Sequence, residues 1–154
     1  MPQNQESFSY YYALSFEVKL PYDDDSVYLA HCYPYTYTDL CEYLSRVCQA
    51  DTRDRIRKTV LCKSLAGNDV EVLIITNFQS EPIELSVRRS IILTSRVHPG
   101  ESNASWMMQG VIDFLISDEE TAKFLRDQFV FKIVPMQNPD GVIVGNYRTS
   151  LAGL

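Results

Sequence analysis

The sequence predicts an α/β fold, and three segments in its second half carry the prediction. Ile91, Ile92 and Leu93 stand in a row, which is typical of a strand buried on both faces. Residues 129–136 form another apolar run and predict a second buried strand. Between the two runs, apolar residues recur at helical spacing at Trp106, Met107, Gly110, Val111, Phe114 and Leu115. Residues 90–136 therefore predict a strand–helix–strand unit, whose strands should be parallel with a right-handed crossover.

The first 33 residues predict a β-hairpin. Apolar side chains alternate with other residues at Phe8, Tyr10, Tyr12, Leu14, Phe16, Val18 and Leu20, which is the period of a half-buried strand. Residues 21–26 predict a turn, and residues 27–33 predict the returning strand. The composition changes at the Tyr-Pro-Tyr-Thr-Tyr stretch (33–37), which marks a candidate domain boundary.

The segment between these regions predicts one helix and a second hairpin. Thr38 or Asp39 is expected to cap a helix that runs to about Gln49. Residues 59–65 and 70–76 predict two strands, because a Gly-Asn-Asp turn separates them.

The composition excludes several classes of protein. With 154 residues, of which 45% are hydrophobic, the chain is too apolar for a disordered tail. The net charge of -6 gives no basic face for nucleic acid. No apolar run approaches the ~18 residues of a membrane span, and the polar start predicts no signal peptide. The four cysteines lack Cys-x-x-Cys spacing, so we expect reduced, mostly buried thiols in a cytosolic protein.

Two short loops follow the two predicted parallel strands. His98-Pro-Gly-Glu101 comes after the first strand, and Asn138-Pro-Asp140-Gly comes after the second. Ligands of open α/β sheets bind outside the carboxyl ends of the strands, so both loops should face one crevice. An imidazole and a carboxylate aimed at one point can bind zinc. The alternative is a surface turn with an ordinary capping glutamate, and the pattern leaves both open.

Further site residues are harder to assign from pattern. A catalytic zinc needs three protein ligands and an open position for water. The other histidine, His31, lies beside Cys32 in the predicted returning strand and is better interpreted as a structural, hydrogen-bonded residue. Arg148 follows the second loop, where an arginine near a metal could stabilise an oxyanion. From the residues alone, a solvated arginine is the simpler interpretation.

Two longer stretches resemble one family closely. Residues 96–108 read Arg-Val-His-Pro-Gly-Glu-Ser-Asn-Ala-Ser-Trp-Met-Met, and residues 131–153 run from Phe-Lys-Ile-Val-Pro-Met-Gln-Asn-Pro-Asp-Gly to Asn-Tyr-Arg-Thr-Ser-Leu-Ala-Gly. Both are similar to the cytosolic carboxypeptidases, which belong to the carboxypeptidase A-type zinc metallocarboxypeptidases. Residues 28–37 and 62–69 resemble the same subfamily.

The resemblance implies a zinc site and roles for five residues. His98 and Glu101 would be two of three zinc ligands, and Arg148 would stabilise the tetrahedral oxyanion. Asn138 and Asp140 would belong to a supporting turn at the floor of the site. Zinc would activate a water molecule and polarise the scissile carbonyl.

The resemblance also implies a domain arrangement and a substrate. Residues 1–34 would be the last β-hairpin of an N-terminal β-sandwich domain. Residues 35–154 would be the first half of a catalytic domain, with an incomplete mixed sheet flanked by helices. Such enzymes remove C-terminal or branch glutamates from acidic protein tails, notably those of tubulin, in the cytoplasm. The resemblance implies neither a nucleic-acid nor a membrane partner.

Several family features are not found in these residues. The third ligand (a histidine), the Asn-Arg pair that holds the substrate carboxylate and the glutamate base are expected beyond Leu154. Gly100 stands where digestive carboxypeptidases have an arginine. Three hypotheses follow: a carboxypeptidase for glutamate-rich tails, a general peptide carboxypeptidase or amino-acid deacylase of the same family, and a truncated non-catalytic binding protein. We expect this chain alone to be inactive and to bind zinc weakly.

Overall fold

The structure, a computed structural model, describes residues 12–49 and 52–153. The helices and strands follow one another along this part of the chain: α1 (Tyr37–Val47), β1 (Ile56–Lys63), β2 (Asp69–Ile75), α2 (Pro82–Val87), β3 (Arg89–Thr94), α3 (Ser102–Ile116), α4 (Glu120–Gln128), β4 (Phe129–Val134) and α5 (Pro139–Val144).

The strands form one mixed sheet in the order β1-β2-β4-β3. β1 pairs antiparallel with β2, and β2 pairs antiparallel with β4. β3 and β4 are parallel, joined through α3 and α4. The predicted α/β fold, with a mixed sheet flanked by helices, is therefore confirmed. Because β3 and β4 are parallel neighbours, the loops at their carboxyl ends lie side by side.

The hydrophobic core lies on one face of the sheet. Leu73 is paired with Ile133 and Ile75 with Phe131, and all four side chains are buried. The helices α1 and α3 supply the rest of the core, with Leu40, Tyr43, Leu44, Val47, Met108, Ile112 and Leu115. The Tyr43 hydroxyl donates to Asp113 Oδ1 at 2.8 Å, which joins the two helices. This packing holds α3, and hence the loop that precedes it, against the sheet.

Two arginines donate hydrogen bonds to backbone carbonyls at the carboxyl end of α3. Arg126 Nη1 donates to the carbonyls of Leu115 (2.6 Å) and Ser117 (2.9 Å), and Arg55 Nη1 donates to the carbonyl of Ile116 (3.0 Å). Cations are favourable there because the helix dipole places negative charge at that end.

With 15 residues, α3 is the longest of the described helices. None of these helices is long and apolar enough to cross a bilayer.

The cap of α1 differs from the sequence prediction. Thr36, rather than Thr38 or Asp39, is the N-cap residue. Its hydroxyl accepts from Asp39 N at 3.1 Å, while Asp39 Oδ2 accepts from Thr36 N at 2.7 Å. The reciprocal pair is a capping box, which satisfies two free backbone donors at once and so favours the earlier start. Asp39 thus sits in the first turn and not before it.

The position of β3 also corrects a prediction. Its three consecutive apolar residues predicted burial on both faces, yet β3 forms an edge of the sheet, and Ile92 is 68% exposed. Among the described residues, no strand pairs with its outer edge. An apolar run shows that the side chains favour burial. Whether they are buried also depends on which strands and helices pack against them.

The predicted N-terminal hairpin is not part of the described structure. Residues 12–33 contain no strand, and most of their side chains are exposed. The start of the predicted first strand, including Phe8 and Tyr10, lies outside the described residues. A two-stranded hairpin is marginally stable unless one face packs against something, and residues 12–31 are exposed. The assignment of residues 1–34 to a separate domain stays a prediction.

The cysteines are free, as predicted, but the expected burial is wrong. Cys41 and Cys62 are exposed, and Cys32 and Cys48 are half-buried. Cys62 lies on β1, the other edge strand, whose residues from Arg57 to Lys63 are all exposed, so neither face of the sheet is covered along this stretch.

Candidate metal centre

Backbone hydrogen bonds join the two loops that leave β3 and β4. Ser95 N donates to the carbonyl of Val134 at 3.0 Å, and Gln137 N donates to the carbonyl of Ser95 at 3.0 Å. One residue further on, Asn138 N donates to the carbonyl of Arg96 at 3.2 Å. The parallel pairing of the strands thus continues into the loops, so the two motifs face one region.

His98 and Glu101 present two metal-binding atoms close together. His98 Nδ1 lies 3.1 Å from Glu101 Oε1. Glu101 is the N-cap residue of α3, and its backbone N–H donates to the carbonyl of His98 at 3.2 Å, which closes the Pro-Gly turn. Zinc binds imidazole nitrogen and carboxylate oxygen at ~2.0–2.2 Å. Two donor atoms at this separation fit contact with one zinc ion, so the pair suits the metal.

Arg148 lies against both of these groups. Its Nη2 is 3.3 Å from His98 Nε2, and its Nη1 is 3.8 Å from Glu101 Oε1. The side chain is nevertheless 60% exposed. The pattern alone favoured a solvated arginine, and the side chain is indeed mostly exposed. Its guanidinium nevertheless lies beside the two candidate ligands.

Asn138 ties the second loop to the first and to the segment that carries Arg148. Asn138 is the N-cap residue of α5, and its Oδ1 accepts a hydrogen bond from Gly141 N at 3.0 Å. Its Nδ2 donates to the carbonyls of Val97 and Thr149, each at 3.3 Å. Val97 directly precedes His98, and Thr149 directly follows Arg148. Asn138 therefore links the segment that carries His98 to the segment that carries Arg148.

Two glycines allow the loops to approach closely. A Cβ on Gly141 would overlap Pro99 Cγ, and a Cβ on Gly100 would overlap the ring of Tyr147. Gly100 N also donates to the carbonyl of Tyr147 at 2.8 Å. The residue before Arg148 is therefore held against the His98–Glu101 turn by contacts that only glycine permits.

Asp140 faces the β1–β2 hairpin and not the candidate ligands. It is 4% exposed and accepts from Ser64 Oγ (2.6 Å), Asn68 Nδ2 (2.8 Å) and Ala66 N (3.0 Å). Burial by itself raises the pKa of this carboxyl, but the three hydrogen bonds outweigh it and hold the pKa below its usual value. Asp140 therefore anchors the β1–β2 hairpin to α5.

Four of the five predicted site residues line one open cleft of about 570 Å³, namely His98, Asn138, Asp140 and Arg148. Glu101 lies next to this cleft, where its carboxylate contacts the His98 ring. Within residues 12–49 and 52–153, no group of three or more His, Cys, Asp or Glu side chains is placed to hold a metal. His31 is separate from the pair, and its Nδ1 lies 3.1 Å from Cys32 Sγ.

Sequence reasoning missed Arg96, which directly precedes the His98 turn. The residue is 5% exposed and has a left-handed φ of 56°. Burial lowers the pKa of its guanidinium from the usual value. An arginine at the end of an apolar strand, two residues before a candidate ligand, is the signal that could have found it.

Comparisons with known proteins identify the family of this chain. The family model described as zinc carboxypeptidase matches residues 41–152. Cytosolic carboxypeptidase 2 of Danio rerio is 54% identical over 143 residues, which are 92% of this chain and 20% of the relative. Cytosolic carboxypeptidase 3 of Mus musculus is 50% identical over 147 residues, which are 94% of this chain and 14% of the relative.

A solved structure shows the same fold. The crystal structure of a metallo-carboxypeptidase from Burkholderia cenocepacia matches with a TM-score of 0.69 and 28% identity, over 79% of this chain and 32% of that chain. The present chain spans no more than about a fifth of the length of the two curated relatives. From the match over residues 41–152 and the identity to these relatives, the chain belongs to the zinc carboxypeptidase family.

Proposed function

We propose that the natural protein containing this chain is a zinc-dependent carboxypeptidase of the cytoplasm. Its substrates would be acidic protein tails, such as those of tubulin, from which it removes C-terminal or branch glutamates. The observation that carries the proposal is the pair of His98 Nδ1 and Glu101 Oε1, 3.1 Å apart, with Arg148 beside both. The cytoplasmic location is supported by relatives named cytosolic carboxypeptidases.

The residues of this chain would divide the chemistry between binding and charge stabilisation. His98 and Glu101 would hold zinc, which when bound polarises a carbonyl and lowers the pKa of a water molecule. Arg148 carries N–H donors on an exposed side chain, so it can turn them to a substrate carbonyl oxygen that becomes negative. Asn138 would keep this arginine and the ligand turn in register through Val97 and Thr149.

The remaining parts of the reaction are expected from outside these residues. They comprise a third zinc ligand, a general base and a group that binds the substrate carboxylate. We therefore expect the 154-residue chain by itself to show no peptidase turnover. With a net charge of -6, the chain is also unsuited to attract acidic tails, so basic groups for that purpose would come from elsewhere in the protein.

The test compares substrates on the natural protein, with the His98→Ala variant as control. Peptides ending in glutamate, peptides with a branch glutamate and peptides ending in leucine are incubated with both proteins. We expect release of glutamate by the natural protein, little release of leucine, and background rates for His98→Ala. Preference for leucine, or for N-acyl amino acids, would indicate a general carboxypeptidase or a deacylase. Equal background rates for both proteins would support a non-catalytic binding protein.

A further inference from the structure

Arg96 is a buried cation in the loop that carries both proposed zinc ligands. It is 5% exposed, and no carboxylate of the described residues lies within ion-pair distance of it. Burying a charged group without an opposite charge is costly unless hydrogen bonds compensate. The buried guanidinium therefore depends on hydrogen bonds to uncharged groups.

The guanidinium joins three segments of the chain around the ligand turn. Nε donates to the carbonyl of Pro99 at 2.8 Å, and Pro99 lies between His98 and Glu101. Nη1 donates to Ser105 Oγ at 2.7 Å, in the first turn of α3. Nη2 donates to the carbonyl of Tyr35 at 3.0 Å, just before α1. The turn is thus fixed to both helices by one rigid, planar group.

The backbone of Arg96 is also in an uncommon conformation. Its φ of 56° lies in the left-handed region, which is unfavourable for a residue other than glycine. The bond from Asn138 N to the carbonyl of Arg96 holds this conformation in place. The resulting sharp bend takes the chain from the end of β3 into the turn. Strained residues of this kind cluster at functional sites.

A second arginine separates a positioning role from a purely structural one. Arg126 is 6% exposed, and its Nη1 also donates to backbone carbonyls, those of Leu115 and Ser117. It acts at the carboxyl end of α3, whereas the ligand turn precedes the amino end of the same helix. Both arginines stabilise the fold through buried carbonyl contacts, but only Arg96 contacts the turn.

We propose that Arg96 is a positioning residue that sets the spacing and direction of His98 and Glu101 by holding the Pro99 carbonyl between them. It contacts neither the metal nor the substrate, so its effect passes through the backbone of the turn. The role in metal affinity rests on the proposed function, because it requires zinc at these two residues.

The first experiment measures zinc affinity on the natural protein that contains this chain, where the expected third ligand is present. Zn²⁺ is titrated against a chromophoric chelator for the wild type, Arg96→Lys, Arg126→Lys and His98→Ala, and the His98→Ala value removes binding at other sites. Loss of a group that orients metal ligands commonly weakens metal binding by about 10- to 100-fold. We expect a fall of this size for Arg96→Lys and an unchanged affinity for Arg126→Lys, although both variants unfold at lower temperature. Equal falls for the two variants would overturn the proposal.

The second experiment needs no metal. The chain has two histidines, so ¹⁵N-histidine labelling gives two imidazole signal sets, and His31→Gln assigns them. In the wild type, Glu101 and Arg148 face the two ring nitrogens of His98 and should favour one tautomer. We expect Arg96→Lys to shift the His98 signals toward those of a free ring, and Arg126→Lys to leave them unchanged. Unchanged His98 signals in folded Arg96→Lys would overturn the proposal.

The two readouts separate failure of this inference from failure of the zinc site. If the wild type binds zinc no better than His98→Ala, the zinc site is wrong, and the imidazole signals still decide the role of Arg96. If Arg96→Lys does not fold, Ser105→Ala removes one acceptor and keeps the arginine. It should then give a smaller shift of the same His98 signals, and the absence of any shift would count against the proposal.

Discussion

The two sides of the cleft differ in how fully their polar groups are satisfied. On one side, the buried Asp140 carboxylate accepts three hydrogen bonds from the β1–β2 hairpin, between 2.6 and 3.0 Å. On the other side, His98, Glu101 and Arg148 are partly exposed and meet at 3.1 to 3.8 Å. Asp140 lies in the segment after β4, and His98 and Glu101 lie in the loop after β3; backbone hydrogen bonds join these two neighbouring segments.

The difference separates an anchoring role from a binding role. A carboxylate whose lone pairs already accept short hydrogen bonds has little left for a metal or a substrate. A histidine and a glutamate that face each other at longer distance can exchange that contact for a ligand. Substitutions on the open side should therefore change activity more than stability, and substitutions on the closed side should do the reverse.

The largest expected effect is on the open side. Replacing Arg148 by alanine in the natural protein should lower kcat by about 10²–10³-fold, which is the usual loss for one donor to a developing oxyanion. The side chain is mostly exposed, so the thermal midpoint should hardly change. Steady-state kinetics and thermal unfolding of the same preparation test both parts, and Arg148→Lys should recover part of kcat. A large fall in the midpoint would place Arg148 with the anchoring residues instead.

On the closed side, Asp140→Asn should destabilise the chain by about 1–3 kcal/mol, because an amide nitrogen faces donors that need an acceptor. Denaturant unfolding measures this loss. Asp127→Asn is the matched control, since Asp127 Oδ1 also accepts from an amide, Asn77 Nδ2 at 2.7 Å, but in an exposed place. The control should change stability by less than about 0.5 kcal/mol. Equal losses would remove the distinction drawn for Asp140.

The contact between the two sides can be tested at Gly100. A Cβ there would overlap the Tyr147 ring, so Gly100→Ala should push away the segment that carries Arg148. We expect a destabilisation of about 1–3 kcal/mol, as for other overpacked sites, together with a lower kcat. Gly110→Ala is a suitable control, because its Cβ would meet nothing within 4 Å. If Gly100→Ala keeps full activity, the close approach of Tyr147 does not position Arg148.

The smallest effect is a pH dependence of the closed side. Because the pKa of Asp140 is lower in the folded chain, its contribution to stability is present above the unfolded pKa of about 3.9 and is lost as the pH falls through the folded value. The stability difference between wild type and Asp140→Asn should therefore be constant near neutral pH and shrink below about pH 4. Unfolding curves of both proteins across this range measure it. A difference that grows on acidification would contradict the lowered pKa.

The sequence by itself determined the strand–helix–strand unit and the place of the site. Apolar runs at 91–93 and 129–136, with a helical stripe between them, are local patterns, and parallel strands bring their carboxyl ends together by geometry. Motif resemblance then singled out His98, Glu101 and Arg148, which the structure brings within hydrogen-bonding or ion-pair distance. These features depend on residues close in sequence or on a general rule of chain topology.

Only the tertiary structure decided the remaining features, because each depends on partners distant in sequence. The edge position of β3 depends on which strands pair, not on its own apolar residues. Asp140 faces Ser64 and Asn68, over 70 residues away, so its sequence neighbours could not reveal its anchoring role. Arg96 likewise reaches Tyr35 across 61 residues. Long-range hydrogen bonds of buried polar groups leave no periodic pattern, and the folded chain alone brings their donors and acceptors together.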